Sequence, residues 1–287
     1  MNLEFVPLLR LQREIYEIPR GRKRFLEYLR VMRNDRRDDI RLPPLVAMNP
    51  MAKDHVKTLL DTFLALDADG IAARAVEEAS LELAAVPGDY KVALVLADDA
   101  MGGWTNRYDV EFTHRFESQT IAKRGWLSGI LWTSEEPSVQ EARAAVLTSV
   151  HRAAYIQTHG AASTLGERLA QEGHAMAAAD RDSPVLDAED LSYTREVIAE
   201  YRDARDRRTN IECLFGDPAA RCLGFIPRGL SPWAGLALAL HEARRRPRSG
   251  PSGRRSARGA GAPLAARRLP RGPRRRSAGR RPSNRRA

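Results

Sequence analysis

Residues 244–287 carry 17 arginines and no lysine, aspartate or glutamate; the rest of that stretch is Pro, Gly, Ser, Ala, Leu and a single Asn. A segment this charge-dense, without a hydrophobic pattern, cannot bury enough apolar surface to offset chain entropy. It is expected to be a disordered tail, and any fold must come from the 243 residues before it. The tail also distorts the overall charge. The net +10 of the chain divides into +17 for the tail and −7 for the remainder, where 30 basic residues face 37 acidic ones. The folded part therefore has no general attraction for phosphate, although the whole-chain pI near 10.1 suggests one.

Three readings of the tail stand side by side. An arm that binds nucleic acid usually mixes Lys with Arg and adds aromatic residues that stack on bases, and this tail has neither. Arg, Pro, Gly and Ala have GC-only codon families, so the segment also matches a GC-rich gene translated out of frame after a frameshift. A linker or targeting segment is the third reading. Nucleic acid is an expected partner only if the tail is a genuine arm.

The expected architecture is α+β, predominantly helical with a small central β-sheet. Residues 1–41, with 11 basic and 7 acidic side chains, form a basic helical hairpin packed on the body as a subdomain. Residues 42–243 form the globular body, and 244–287 the tail. Two cysteines are too few for a disulfide framework, and no Cys-x-x-Cys pair is present. A reducing, cytoplasmic setting fits, and with no apolar run of transmembrane length no membrane partner is expected. No fixed-period repeat is visible.

Along the body, residues 3–18 and 22–33 have the apolar spacing of two amphipathic helices. Asn49-Pro50 marks the start of a helix ending near Leu66; "DADG" (67–70) breaks it, and an Ala-rich helix runs from Ile71 to about Ala84. "KVALVLAD" (91–98) and "WLSGILWTS" (126–134) read as buried strands. Between them, Tyr108, Val110, Phe112, His114 and Phe116 alternate with polar residues, which fits a strand. Tyr108, Phe112 and Phe116 are also four apart, so a helix stays open. A long helix capped by Ser134 and ended by Gly160 follows, then one opening on the capping-box pattern at Thr164 and Glu167, then one over 187–208. Ser231 and Pro232 open a last helix over 229–243.

The most site-like stretch is "LADDAMGGWTNRY" (96–108). A strand that ends in Asp98 and Asp99 and delivers Trp104, Asn106 and Arg107 through a Gly-Gly turn gathers acid, amide, cation and aromatic groups on one loop. Asp98 and Asp99 are candidate catalytic carboxylates; Trp104, Asn106 and Arg107 are candidate ligand contacts. The structural alternative is that the aspartates and glycines make turns, Trp104 plugs the core, and Arg107 pairs with an aspartate. No phosphate-cradling signature is present.

His151, Tyr155 and His159 lie four apart, so they share one helix face. His151 is a candidate acid-base residue and Tyr155 a candidate ligand contact, whereas the absence of a His-Glu-x-x-His pattern argues against a metal. His114 is a third candidate catalyst, with a hydrogen-bonded core histidine as its alternative. Cys213 reads as a buried, inert thiol. The favoured function is a small-molecule-binding or enzymatic domain with a polar pocket at the 98–107 loop, its cofactor undefined. The alternatives are polyanion binding through the tail and a helical interaction or scaffold protein.

Overall fold

The computed structural model describes residues 1–100, 106–117 and 119–245, with the backbone alone for Gln119. Its centre is a three-stranded, all-parallel sheet of β1 (Asn2–Phe5), β2 (Asp89–Ala97) and β3 (Trp126–Trp132), in the order β1-β2-β3. β2 is buried from Val92 onward and β3 almost throughout, which explains why both read as continuous apolar runs. Beyond β1, the Gln12 amide takes over as partner of β2: its Nε2 donates to Leu96 O (3.0 Å) and its Oε1 accepts from Leu96 N (2.9 Å).

Helices surround this sheet, as the apolar spacing along the chain predicts. α1 (Leu9–Glu17), α2 (Arg22–Met32), α3 (Asp54–Ala65) and α4 (Ala68–Glu82) connect β1 to β2. α5 (Arg107–Phe112), a π-helical turn over Thr113–Glu117, and α6 (Gln119–Lys123) connect β2 to β3. α7 (Val139–His159) packs on β3 and β2 between α4 and α8 (Leu165–Ala178). It is buried nearly all round from Ala142 to Ala154, the mark of a central helix. α9 (Ala188–Ala199), α10 (Arg207–Phe215), α11 (Asp217–Cys222) and α12 (Ala234–Arg245) complete the described chain. The Thr164 capping box is formed as its sequence implied.

Several expectations are corrected. Residues 108–116 are helical: the four-residue spacing of Tyr108, Phe112 and Phe116 prevails over the alternation, because it turns those rings toward one apolar cluster. The N-terminal helix begins only at Leu9, since Asn2–Phe5 pairs with β2. α3 starts at Asp54, after Asn49 has bent the chain by accepting from Met51 N. "DADG" does not interrupt the helices for long: Asp67 takes the left-handed conformation (φ 56°) and α4 starts at the next residue. Ser138, not Ser134, caps α7, because Ser134 is occupied by Asp99. The helix expected over 187–208 ends at Ala199, and α12 begins at Ala234 after Trp233 takes φ 60°.

The apolar interior divides in two. One cluster joins the sheet to α1–α4 and α7. The other gathers Phe112 with residues of α8, α9, α10, α11 and α12. Three helix-strand or helix-helix contacts among the described residues are backbone-close: a Cβ on Gly129 of β3 would lie 2.9 Å from Ala145 C and Val146 N of α7, one on Gly173 of α8 2.4 Å from Ala239 O of α12, and one on Gly235 of α12 2.4 Å from Cys213 O of α10. No described helix is long and apolar enough to cross a membrane.

Candidate functional site

Because the strands are parallel, β2 and β3 release their chains at the same edge, where Asp98 and Asp99 follow one strand and Thr133 and Ser134 the other. Asp98 is 2% exposed. Its carboxylate accepts from Asn49 Nδ2 (3.2 Å) and lies 2.8 Å from His55 Nε2. Asp99 accepts from Ser134 N (2.9 Å) and Ser134 Oγ (2.7 Å). Thr133 Oγ1 stands 3.1 Å from both carboxylates and accepts from the backbone N–H groups of Asp99 and Ala100. Its single proton serves one carboxylate at a time. These bonds clamp the two strand ends together, so the aspartates act first on the loop.

Arg107, the first residue of α5, reaches back to this edge. Nη1 donates to Ser134 Oγ (2.9 Å) and to Asp99 (3.4 Å), and Nη2 donates to Glu135. Its guanidinium is held between two indoles, 5.0 Å from the Trp132 ring centre and 4.9 Å from that of Trp233. Buried Nε has no hydrogen-bond partner among the described residues, and the Glu111 carboxylate lies 4.0 Å from it.

This arginine lines a cavity of ≈ 190 Å³ between β3, α5, α7 and α8, capped by Trp233. Arg107, Arg115, Arg152 and Arg181 face it, opposed by Glu111, Glu135 and Glu141. Behind the wall lies Glu172, fully buried. It accepts from Arg152 Nε (2.6 Å) and Nη2 (2.9 Å) and from Arg115 Nη1 (2.5 Å). Glu111 accepts from Arg115 Nε (2.7 Å) and Trp132 Nε1 (2.8 Å). Burial alone would raise the Glu111 carboxyl, but Arg115 and Arg107 hold it down at about 2. Glu172 is likewise brought to about 2, against its burial, by Arg152 and Arg115. His114 in the same wall goes the other way: burial, and then Arg152, push its imidazole down to about 4, so it is neutral at pH 7.

The candidates named from the sequence thus separate. Arg107 and His114 line the cavity, and Asp99 touches it through Arg107. Asp98 stays with His55 and Asn49 behind the strand ends. Asn106 is the N-cap of α5, accepting from Asp109 N (3.2 Å), and its Nδ2 donates to Cys222 Sγ (3.3 Å). Trp104 and the Gly-Gly pair lie outside the described residues. His151 and Tyr155 belong elsewhere on α7. Burial lowers the His151 imidazole, and Tyr155 stacks on His159 (4.2 Å) and tilts against His174 (5.2 Å). Burial pushes the Cys213 thiol up to about 12. Among the described residues no group of three or more His, Cys, Asp or Glu is placed to hold a metal ion.

Sequence reasoning missed Glu111, Arg115, Arg152, Glu172, Trp233 and His55. A signal for the first two was present: once 107–116 is read as a helix, Arg107, Glu111 and Arg115 fall four apart on one face. Arg152 and Glu172 carried none, because single charges in helices ordinarily face water.

No family model matches the chain, and no solved structure matches it. Over 99 residues the chain is 36% identical to the Uncharacterized protein YjfC of Bacillus subtilis (strain 168), a match covering 31% of this chain and 33% of that protein. The chain therefore spans about a third of the length of this curated relative, and the similarity describes that third alone.

Proposed function

We propose that this protein binds a small anionic molecule, a carboxylate or a phosphate ester, in the polar cavity at the carboxyl edge of its sheet, with Arg107 as the main contact. The observation that carries this reading is the Arg107 guanidinium, oriented by Trp132 and Trp233, whose buried Nε makes no hydrogen bond among the described residues. A buried donor without a partner is costly, and an anionic oxygen relieves that cost. Stability alone is a poor reason for the surrounding ion pairs, since apolar residues of similar volume commonly serve a core as well or better. Clustered guanidiniums with strongly shifted carboxylates are the usual mark of a site. Crevices at the carboxyl ends of parallel strands are also where open α/β sheets take their ligands.

In the enzymatic form of this reading His114, neutral at pH 7, is the proton acceptor in the wall, while Asp98 and Asp99 hold the loop and do not meet the ligand. The test is calorimetric titration of the full chain with inorganic phosphate and with succinate. Arg107→Met should weaken the tighter of the two by about tenfold or more while the far-ultraviolet circular dichroism stays as in the parent. Equal affinity in parent and variant would refute the reading.

A further inference from the structure

The His114–Arg115–Arg152 wall has a second side. Past it, along the same cleft between β3 and α7 but at the opposite end of the strand, lies a cavity of ≈ 360 Å³. Arg115 and Arg152 border both spaces, as does His114. We propose that this second cavity is a binding site for an apolar carboxylate, its head group on Arg115 and Arg152 and its hydrocarbon body running toward Trp126.

The lining differs in kind from that of the polar cavity. Trp126, Phe116, Ile121, Leu127, Ala153 and Ile156 make an apolar wall, and the volume falls within the range of small-molecule sites. Charge enters it with one sign: Arg115, Arg152 and Lys123 line the cavity, and no Asp or Glu among the described residues does. His114 adds no charge at pH 7. The two guanidiniums are already oriented, because Glu172 grips both from the far side and Gln171 Nε2 donates to Arg115 O (3.3 Å). Such pre-orientation lowers the entropic cost of binding an anion. Ser128 and Ser149, both nearly buried, supply hydroxyls beside the same end. An apolar body with one anionic end satisfies this lining, whereas a bare phosphate leaves the aromatic wall unfilled and an alcohol brings no charge to the side of Arg115, Arg152 and Lys123 that faces the cavity.

The site is distinct from the one proposed above, since it needs neither Arg107 nor the strand-end loop. The probes are decanoate and decanol, titrated into the full chain and followed by tryptophan fluorescence, Trp126 being part of the wall. Decanoate should bind saturably and about tenfold more tightly than decanol. Two variants at sites that tolerate change carry the test further. Ile156→Trp, at a half-buried position of α7, fills the cavity and should abolish saturable binding. Lys123→Met, on the exposed side of α6, should weaken decanoate about threefold and leave decanol unaltered. Absence of saturable decanoate binding, decanol binding as tightly as decanoate, or parental decanoate affinity in Ile156→Trp would each overturn the proposal.

Discussion

Glu172 is an ionised side chain with no exposed surface, and its charge is tolerated only because two guanidiniums share it. Removing one member of such a set leaves the others buried and uncompensated. Glu172→Gln should therefore destabilise the protein by about 3–5 kcal/mol, read from chemical denaturation at neutral pH. The acid profile has a fixed sign. Glu111 and Glu172 titrate below the ordinary 4.5 in the folded protein, so their stabilisation is complete above that value and fades as pH falls toward about 2. His114, lowered from 6.5 to about 4, adds an earlier limb: the unfolded chain takes up its proton first, and stability declines through that window. The melting temperature should fall in both windows, and Glu172→Gln should flatten the lower one. An acid limb as steep in Glu172→Gln as in the parent would show that the coupling assigned to this carboxylate is wrong. Of this network the sequence disclosed Arg107 and His114, which lie near a recognisable strand end. Arg152 and Glu172 stayed hidden because burial is decided by tertiary packing of helices, not by the residues beside them.

The elements with a strong local reason were legible. β2 and β3 are apolar runs of strand length, and α8 announces itself by the Thr164 capping box. β1 was not, because four residues have too little periodicity to separate a strand from the first turn of a helix, and its partner lies far along the chain. α5 was misread for a different reason: its residues satisfy a two-residue and a four-residue repeat at once, and only the second cluster of apolar side chains decides between them. At the β3–α7 contact the deciding feature is a missing side chain. Gly129 lets the strand lie against the helix backbone, so Gly129→Ala should force the two apart and cost about 1–3 kcal/mol in a denaturation titration. Unchanged stability would mean that the contact can relax without loss.

At the scale of the whole molecule, charge divides sharply along the chain. Residues before Arg244 carry −7 and residues 244–287 carry +17. A chain ending at Arg245 is expected to keep the unfolding transition of the full protein and to lose any salt-sensitive affinity for duplex DNA; retention of that affinity by the shortened chain would reassign it to the body. Within the body, two oil-like cores meet along a line of arginines and glutamates: α7 and β3 supply Arg152 and Trp132 from one, α5 and α8 supply Glu111 and Glu172 from the other. Grease holds each half from within, whereas electrostatics bolts the halves to each other. Acid slackens that bolt and leaves the grease untouched, so the two halves should part company before either one melts.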